Sequence, residues 1–293
     1  MKTRSEEEMF NLILDFAKND KRIRIVLLNG SRANPNIPKD IFQDYDVVCV
    51  VTDVNPFKNK NYIINHFGDT IYTQIPEDKL DPPPRNDGNY NYNMQFIDGN
   101  RMDLTFVNIN ILDKQLEDSL TKVLLDKDNM IKNLPEPSEL SYFISKPTEK
   151  LYFDYCDEFI FGIASHLPKT MWRKELPLIK IYIEVVLRKP LLKMIEWKIG
   201  IDYGFNKTIG KCGKYLQKYI SKKDWSEYKK TFSDSDFNNI WKSIFILCEL
   251  FKKFSKSVAK EYSFCFPDKE LTDAIQFLKH VKDIPDNAKS IYN

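Results

Sequence analysis

The chain has 293 residues, 42% of them hydrophobic, 29% charged and 13% aromatic, the make-up of a globular protein long enough for two domains with separate cores. No apolar run approaches the roughly 18 to 20 residues that a membrane span needs, and the opening Met1 to Glu8 turns acidic where a secretory leader would be apolar, so a cytoplasmic protein with no membrane role is expected. A net charge of +2 without a dense basic stripe argues against a nucleic-acid partner. The charge is uneven, with 17 Lys and Arg against 23 Asp and Glu in residues 1–140 and 27 against 19 in the remainder. An acidic half suited to holding metal and a basic half suited to a polyanion is one reading, and a solvated lysine-rich surface is the other.

Ser5 and Glu8 form a capping box before the apolar positions Met9, Leu12, Ile13 and Phe16, so a helix opens there and ends near Asn19-Asp20. A β-branched run from Ile23 to Leu28 ends at Asn29-Gly30-Ser31, and Asp44 to Val51 alternates into a second strand after a polar loop. Pro76 to Asn93 reads as a long irregular excursion. Met94–Ile97 and Arg101–Val107 then flank Asp98-Gly99-Asn100, a hairpin signal, and Lys122–Leu125 makes one more short strand. From Thr148 onward the period is helical, in stripes over 149–167, 174–200 and Phe237 to Val258, with Ser221 and Asp224 capping a further helix. The expected fold is α+β: an N-terminal domain over 1–140, a mixed β-sheet flanked by helices, followed by a C-terminal helical bundle over 141–293.

Five cysteines, odd in number and without a C-x-x-C pair, read as buried free thiols rather than disulfides or a zinc site. The histidines His66, His166 and His280 are scattered and read as surface or packing residues. Chemistry therefore falls to the acids. Strand alternation sends Asp44 and Asp46 to one face and Tyr45, Val47 and Cys49 to the other, and Asp103 on a neighbouring strand completes a carboxylate cluster. Such a cluster suits Mg²⁺, which takes oxygen ligands from one or two carboxylates and substrate phosphates. Gly30 permits close approach of backbone to a phosphate, Ser31 can donate to its oxygens and Arg32 can add charge. This set supports in-line attack of a hydroxyl on the α-phosphorus of ATP. A helix, a strand ending in Gly-Ser, an Asp-x-Asp opening the next strand and a lone Asp on a later one resemble the DNA polymerase β-like nucleotidyltransferase fold.

A narrower resemblance rests on Asn29-Gly30-Ser31-Arg32, Phe42-Gln43-Asp44-Tyr45-Asp46, Asp98-Gly99-Asn100 with Met102-Asp103-Leu104-Thr105, Lys122-Val123-Leu124-Leu125-Asp126-Lys127-Asp128, and Gly210-Lys211 with Lys214-Tyr215. Together these are similar to the aminoglycoside 6-adenylyltransferases that inactivate streptomycin. The resemblance implies a nucleotidyltransferase N-terminal domain that holds ATP and Mg²⁺, an acceptor bound at a cleft beneath the helical domain, and Lys211, with Lys214 beside it, on the triphosphate. It implies O-adenylylation of an aminoglycoside with release of pyrophosphate, as antibiotic resistance. The chain departs from the family pattern at Asn29, where a glutamate is usual, and at Ile179-Lys180-Ile181, where an acid is absent; Glu184 lies one turn on. Asp103 is the first candidate for the general base and Glu158 the second. The alternatives are the same reaction on another acceptor, such as a lincosamide, a small metabolite or a protein hydroxyl, and a nucleotide-binding module without turnover.

Overall fold

The structure, a computed structural model, describes residues 2–292. Its chain divides into two compact units, Met1–Ser141 and Tyr142–Asn293. The first begins with α1 (Glu6–Asn19), opened by the expected capping box: Ser5 Oγ accepts from the Glu8 amide, and the Glu8 carboxylate accepts from the Ser5 amide. Then follow β1 (Ile23–Asn29), a short helical turn α2 (Gly30–Ala33), β2 (Tyr45–Val51), α3 (Lys60–Phe67), β3 (Thr70–Gln74), β4 (Tyr90–Phe96), β5 (Arg101–Asn108), the short α4 (Leu112–Gln115) and β6 (Lys122–Asp126).

The six strands form one mixed sheet in the order β3-β4-β5-β2-β1-β6. Among the described residues only β2 and β5 run parallel; the other neighbouring strands are antiparallel. Alternation gives the sheet two apolar faces. Tyr45, Val47 and Cys49 pack with Met9, Ile13 and Phe16 of α1, while Val48 and Val50 pack with Ile25, Leu27, Val107 and Leu112 on the other side. Arg4 ties the start of the chain to the β4–β5 hairpin: its Nε donates to Asp98 at 2.5 Å, Nη1 donates to the Phe67 carbonyl at 2.7 Å, and the guanidinium lies over Phe96.

The excursion expected over Pro76–Asn93 is shorter than its asparagines and prolines suggest. Strand β4 begins at Tyr90 because Tyr90, Tyr92, Met94 and Phe96 alternate inward, leaving Asn91 and Asn93 on the other face. Helix α3 and strand β3, which the sequence reading passed over, lie between β2 and β4.

The second unit is helical. It comprises α5 (Glu149–Phe161), α6 (Leu167–Trp172), α7 (Leu176–Ile181), α8 (Arg188–Tyr203), α9 (Lys222–Lys230), α10 (Phe237–Tyr262) and α11 (Asp268–Asp283). A π turn at Gly162–His166 joins α5 to α6, and a second at Tyr182–Leu187 joins α7 to α8. The stripes read as 149–167 and 174–200 are therefore each interrupted by one widened turn. The stripe on α10 buries Ile240, Ile244, Leu247, Phe251 and Val258, and Phe251 stacks on Phe159 of α5 with ring centroids 3.7 Å apart. Among the cysteines, Cys49, Cys156 and Cys248 are buried, but Cys212 and Cys265 are exposed because both lie in connections between helices rather than on apolar stripes. No helix among the described residues is long and apolar enough to cross a membrane.

Both rings of the Phe159–Phe251 stack are fully buried, so Phe251→Ala is expected to destabilise the protein by about 3 to 5 kcal/mol, read as a lower urea midpoint followed by circular dichroism.

Candidate active site

The parallel register of β2 and β5 sets Asp46 directly opposite Asp103, and the antiparallel register of β1 sets Asn29 opposite Asp46. Asp44 precedes β2 by one residue. These placements bring one carboxylate oxygen from each of Asp44, Asp46 and Asp103 within 4.8 Å of one another, and all three residues are half-buried. The cluster lies where β1 turns into α2, so Gly30 borders it, and Ser31 follows Gly30 in the chain.

Gly30 is glycine for a more exact reason than room for a phosphate. Its φ is +69°, a conformation that side-chain-bearing residues rarely adopt. A Cβ here would collide with Asp46 Oδ2 and sit 3.1 Å from its Cγ. The space is taken by the carboxylate itself.

Three carboxylates this close repel, and the most enclosed one shows it. Burial, reinforced by the charges of Asp44 and Asp103, pushes the Asp46 carboxyl up to about 7. Arg101 supplies the one nearby counter-charge among the described residues: Nη2 donates to Asp103 Oδ2 at 2.7 Å, Nε donates to Asp103 Oδ1 at 3.2 Å, and Nε lies 3.9 Å from Asp44 Oδ2. Arg101 belongs to no motif, and its one signal in the sequence is its place two residues before Asp103 on a strand, which puts both on the same face. An all-oxygen donor set with excess negative charge fits a hard divalent cation such as Mg²⁺ and does not suit a soft metal.

Arg32, expected beside the nucleotide, is turned elsewhere. Its Nε donates to the Asp44 carbonyl at 3.0 Å and Nη2 to the Gln43 carbonyl at 2.8 Å, and its guanidinium lies 3.8 Å from the centre of the Tyr45 ring. With Glu6 Oε1 3.6 Å away, its charge is spent on the loop that delivers Asp44. Asn29 accepts a hydrogen bond from Thr121.

The remaining candidates belong to the second unit. Lys211 is exposed on a tight turn in which Gly210, Cys212 and Gly213 all have positive φ, and it has no ionic partner among the described residues. Lys214 lies over the Tyr215 ring at 4.9 Å. Glu158 is half-buried in the last turn of α5, and its carboxylate has no partner among the described residues. Glu184, the acid nearest Ile181, is engaged by Arg188, whose Nε and Nη2 donate to its two oxygens at 2.5 and 2.8 Å.

A family model described as streptomycin adenylyltransferase matches residues 3–281. The chain is 39% identical over 267 residues to an aminoglycoside 6-adenylyltransferase of Bacillus subtilis (strain 168), covering 90% of this chain and 94% of that one. It is 36% identical over 269 residues to the protein of the same name from Staphylococcus aureus (91% and 95% covered), and 35% identical over 289 residues to that from Campylobacter jejuni (98% and 100%). A crystal structure of an aminoglycoside 6-adenyltransferase from Bacillus subtilis aligns at 33% identity over 96% of this chain and 100% of that chain, with a TM-score of 0.47. On the family match and the three relatives, this chain belongs to the streptomycin adenylyltransferase family and is a nucleotidyltransferase.

Proposed function

We propose that this enzyme moves AMP from Mg²⁺-ATP to a hydroxyl of an aminoglycoside, streptomycin first, and releases pyrophosphate, a resistance reaction of the cytoplasm. The observation that carries the reading is the convergence of Asp44, Asp46 and Asp103 beside Gly30; the names of the three relatives supply the acceptor class.

Bound at the three carboxylates, a divalent metal would offset the charge of the triphosphate and of the departing pyrophosphate. The protein's own groups do the rest. Ser31 offers its amide and hydroxyl to phosphate oxygens, and Lys211, with Lys214 beside it, offers ammonium charge to the triphosphate. Asp103 is the proposed general base and Glu158 the second candidate. The acceptor oxygen bonds to the α-phosphorus as the bond to the pyrophosphate oxygen breaks, and the hydroxyl proton passes to the carboxylate.

Purified protein with ATP, Mg²⁺ and streptomycin should release pyrophosphate and give a product heavier by one AMP moiety; absence of both would sink the streptomycin reading. In the same assay Asp103→Asn is expected to lower kcat by roughly 10² to 10⁴-fold, the range lost with a general base. Gly30→Ala should lose turnover as severely, because the new methyl displaces the Asp46 carboxylate.

The raised carboxyl of Asp46 also predicts a pH dependence. The folded protein holds this proton up to about pH 7, whereas an unfolded chain releases it near the ordinary value of 3.8. Its contribution to stability is therefore complete below pH 3.8 and is lost as pH rises through 7. In EDTA, the melting temperature of Asp46→Asn should vary less between pH 5 and 8 than that of the unmodified protein, which should decline across that range relative to the variant.

A further inference from the structure

A cavity bounded by α6, the π turn before it, α11 and residues 284–291 lies wholly within the second unit and shares no residue with the catalytic candidates. Gly162 lets that turn close on Leu187, since a Cβ there would lie 2.7 Å from Leu187 Cδ2, and Ala164 and Ser165 beyond it reach the cavity. The segment that closes the other side is pinned. His280 Nε2 donates to the Ile291 carbonyl at 2.6 Å, the His280 ring stacks on Tyr292 at 4.5 Å, and Lys174 donates to Asp286 at 2.5 Å. The space left is about 460 Å³, within the roughly 300 to 1,000 Å³ of small-molecule sites.

The walls are apolar, with Trp172, Phe277, Val281 and Ile291, and the charge around them has one sign. Lys169, Arg173 and Lys289 line the cavity, and no acid lines it among the described residues. All three are exposed, which places their charge on the solvent side. Among the described residues only Arg173 has an ionic partner, Glu175 at 3.9 Å, and the acid of the closing segment, Asp286, is taken by Lys174. Trp172 supplies the deciding group. Its Nε1 is buried without a hydrogen-bond partner, and a donor so placed costs free energy until an acceptor meets it.

We propose that this cavity is a second binding site, for a small amphipathic monoanion whose apolar body lies between Trp172, Phe277 and Val281. Its carboxylate accepts from Trp172 Nε1 and faces Lys169, Arg173 and Lys289. One such group answers both the unspent donor and the unanswered charge, because hydrogen bonds to an ionised acceptor are the strong ones. A neutral apolar ligand leaves the cations unpaired. A polycationic acceptor is repelled by them, and a free triphosphate gains nothing from apolar walls, so the site is separate from those of the two substrates.

Calorimetric titration of sodium octanoate into the full chain tests this, with octanamide as the neutral control and octylammonium as the cationic one. Octanoate is expected to saturate one site per chain and to bind about tenfold or more tightly than either control. Hexanoate should be weaker by about fourfold for each methylene removed. Trp172→Phe, which keeps an aromatic ring and removes the donor, should weaken octanoate about tenfold. Lys169→Gln, at an exposed position, should weaken it about threefold, and neither change should alter the affinity for a non-hydrolysable ATP analogue with Mg²⁺. Absence of saturable octanoate binding, or equal affinity for octanoate and either control, overturns the proposal. Unchanged octanoate affinity in both variants also overturns it, since the anion then binds elsewhere. Displacement of octanoate by the ATP analogue does so too, because the cavity would then be part of the nucleotide site.

Discussion

Mutual repulsion of three carboxylates is the constraint around which the first unit is built. Asp44, Asp46 and Asp103 would separate if side-chain preference alone placed them, and backbone keeps them together. The parallel ladder between β2 and β5 fixes Asp46 against Asp103. The missing Cβ at Gly30 leaves the hollow that Asp46 fills, and Arg32 grips the carbonyls of Gln43 and Asp44 so that the loop delivers the third acid. Arg101 offsets part of the charge. Each device is local, and together they hold a high density of negative charge ready for a cation.

The end of the sheet was legible because its signals are local. Asp44-x-Asp46 on an alternating strand admits one facing, and the capping box at Ser5 and the hairpin turn at Asp98-Gly99-Asn100 are short-range chemistry that tertiary packing had no reason to override. What escaped was set by packing. Helix α3 buries only Ile63 and Phe67 in eight residues, and β3 exposes both Ile71 and Tyr72, so neither shows a clean period. Asparagines at 91 and 93 hid the first half of β4, because residues poor in strand preference occupy its less apolar face. Arg32 looked like a phosphate ligand by position and is instead enclosed by Glu6, Tyr45 and two carbonyls.

In the helical unit the stripes were readable and their interruptions were not. A π turn adds a single residue to one turn, too little to disturb a periodicity read over fifteen positions. The glycine that permits the close packing, Gly162, is isolated within a helical pattern and carries no signal until Leu187 is seen against it. Glu158 and Glu184 both read as helix-face acids. Only the arginine one turn after Glu184 separates them, by occupying one and leaving the other free.

The single parallel pair in the sheet has a kinetic consequence. Antiparallel neighbours can be joined by a hairpin, but β5 pairs with β2 across residues 52–100 of intervening sequence, which include α3, β3 and β4. The closure entropy of that long segment must be met before Asp103 arrives opposite Asp46. Pairing of this kind belongs to the slow, non-local part of folding. Assembly of the carboxylate cluster belongs to that non-local stage, and the appearance of cation binding during refolding would time the docking of β5 on β2.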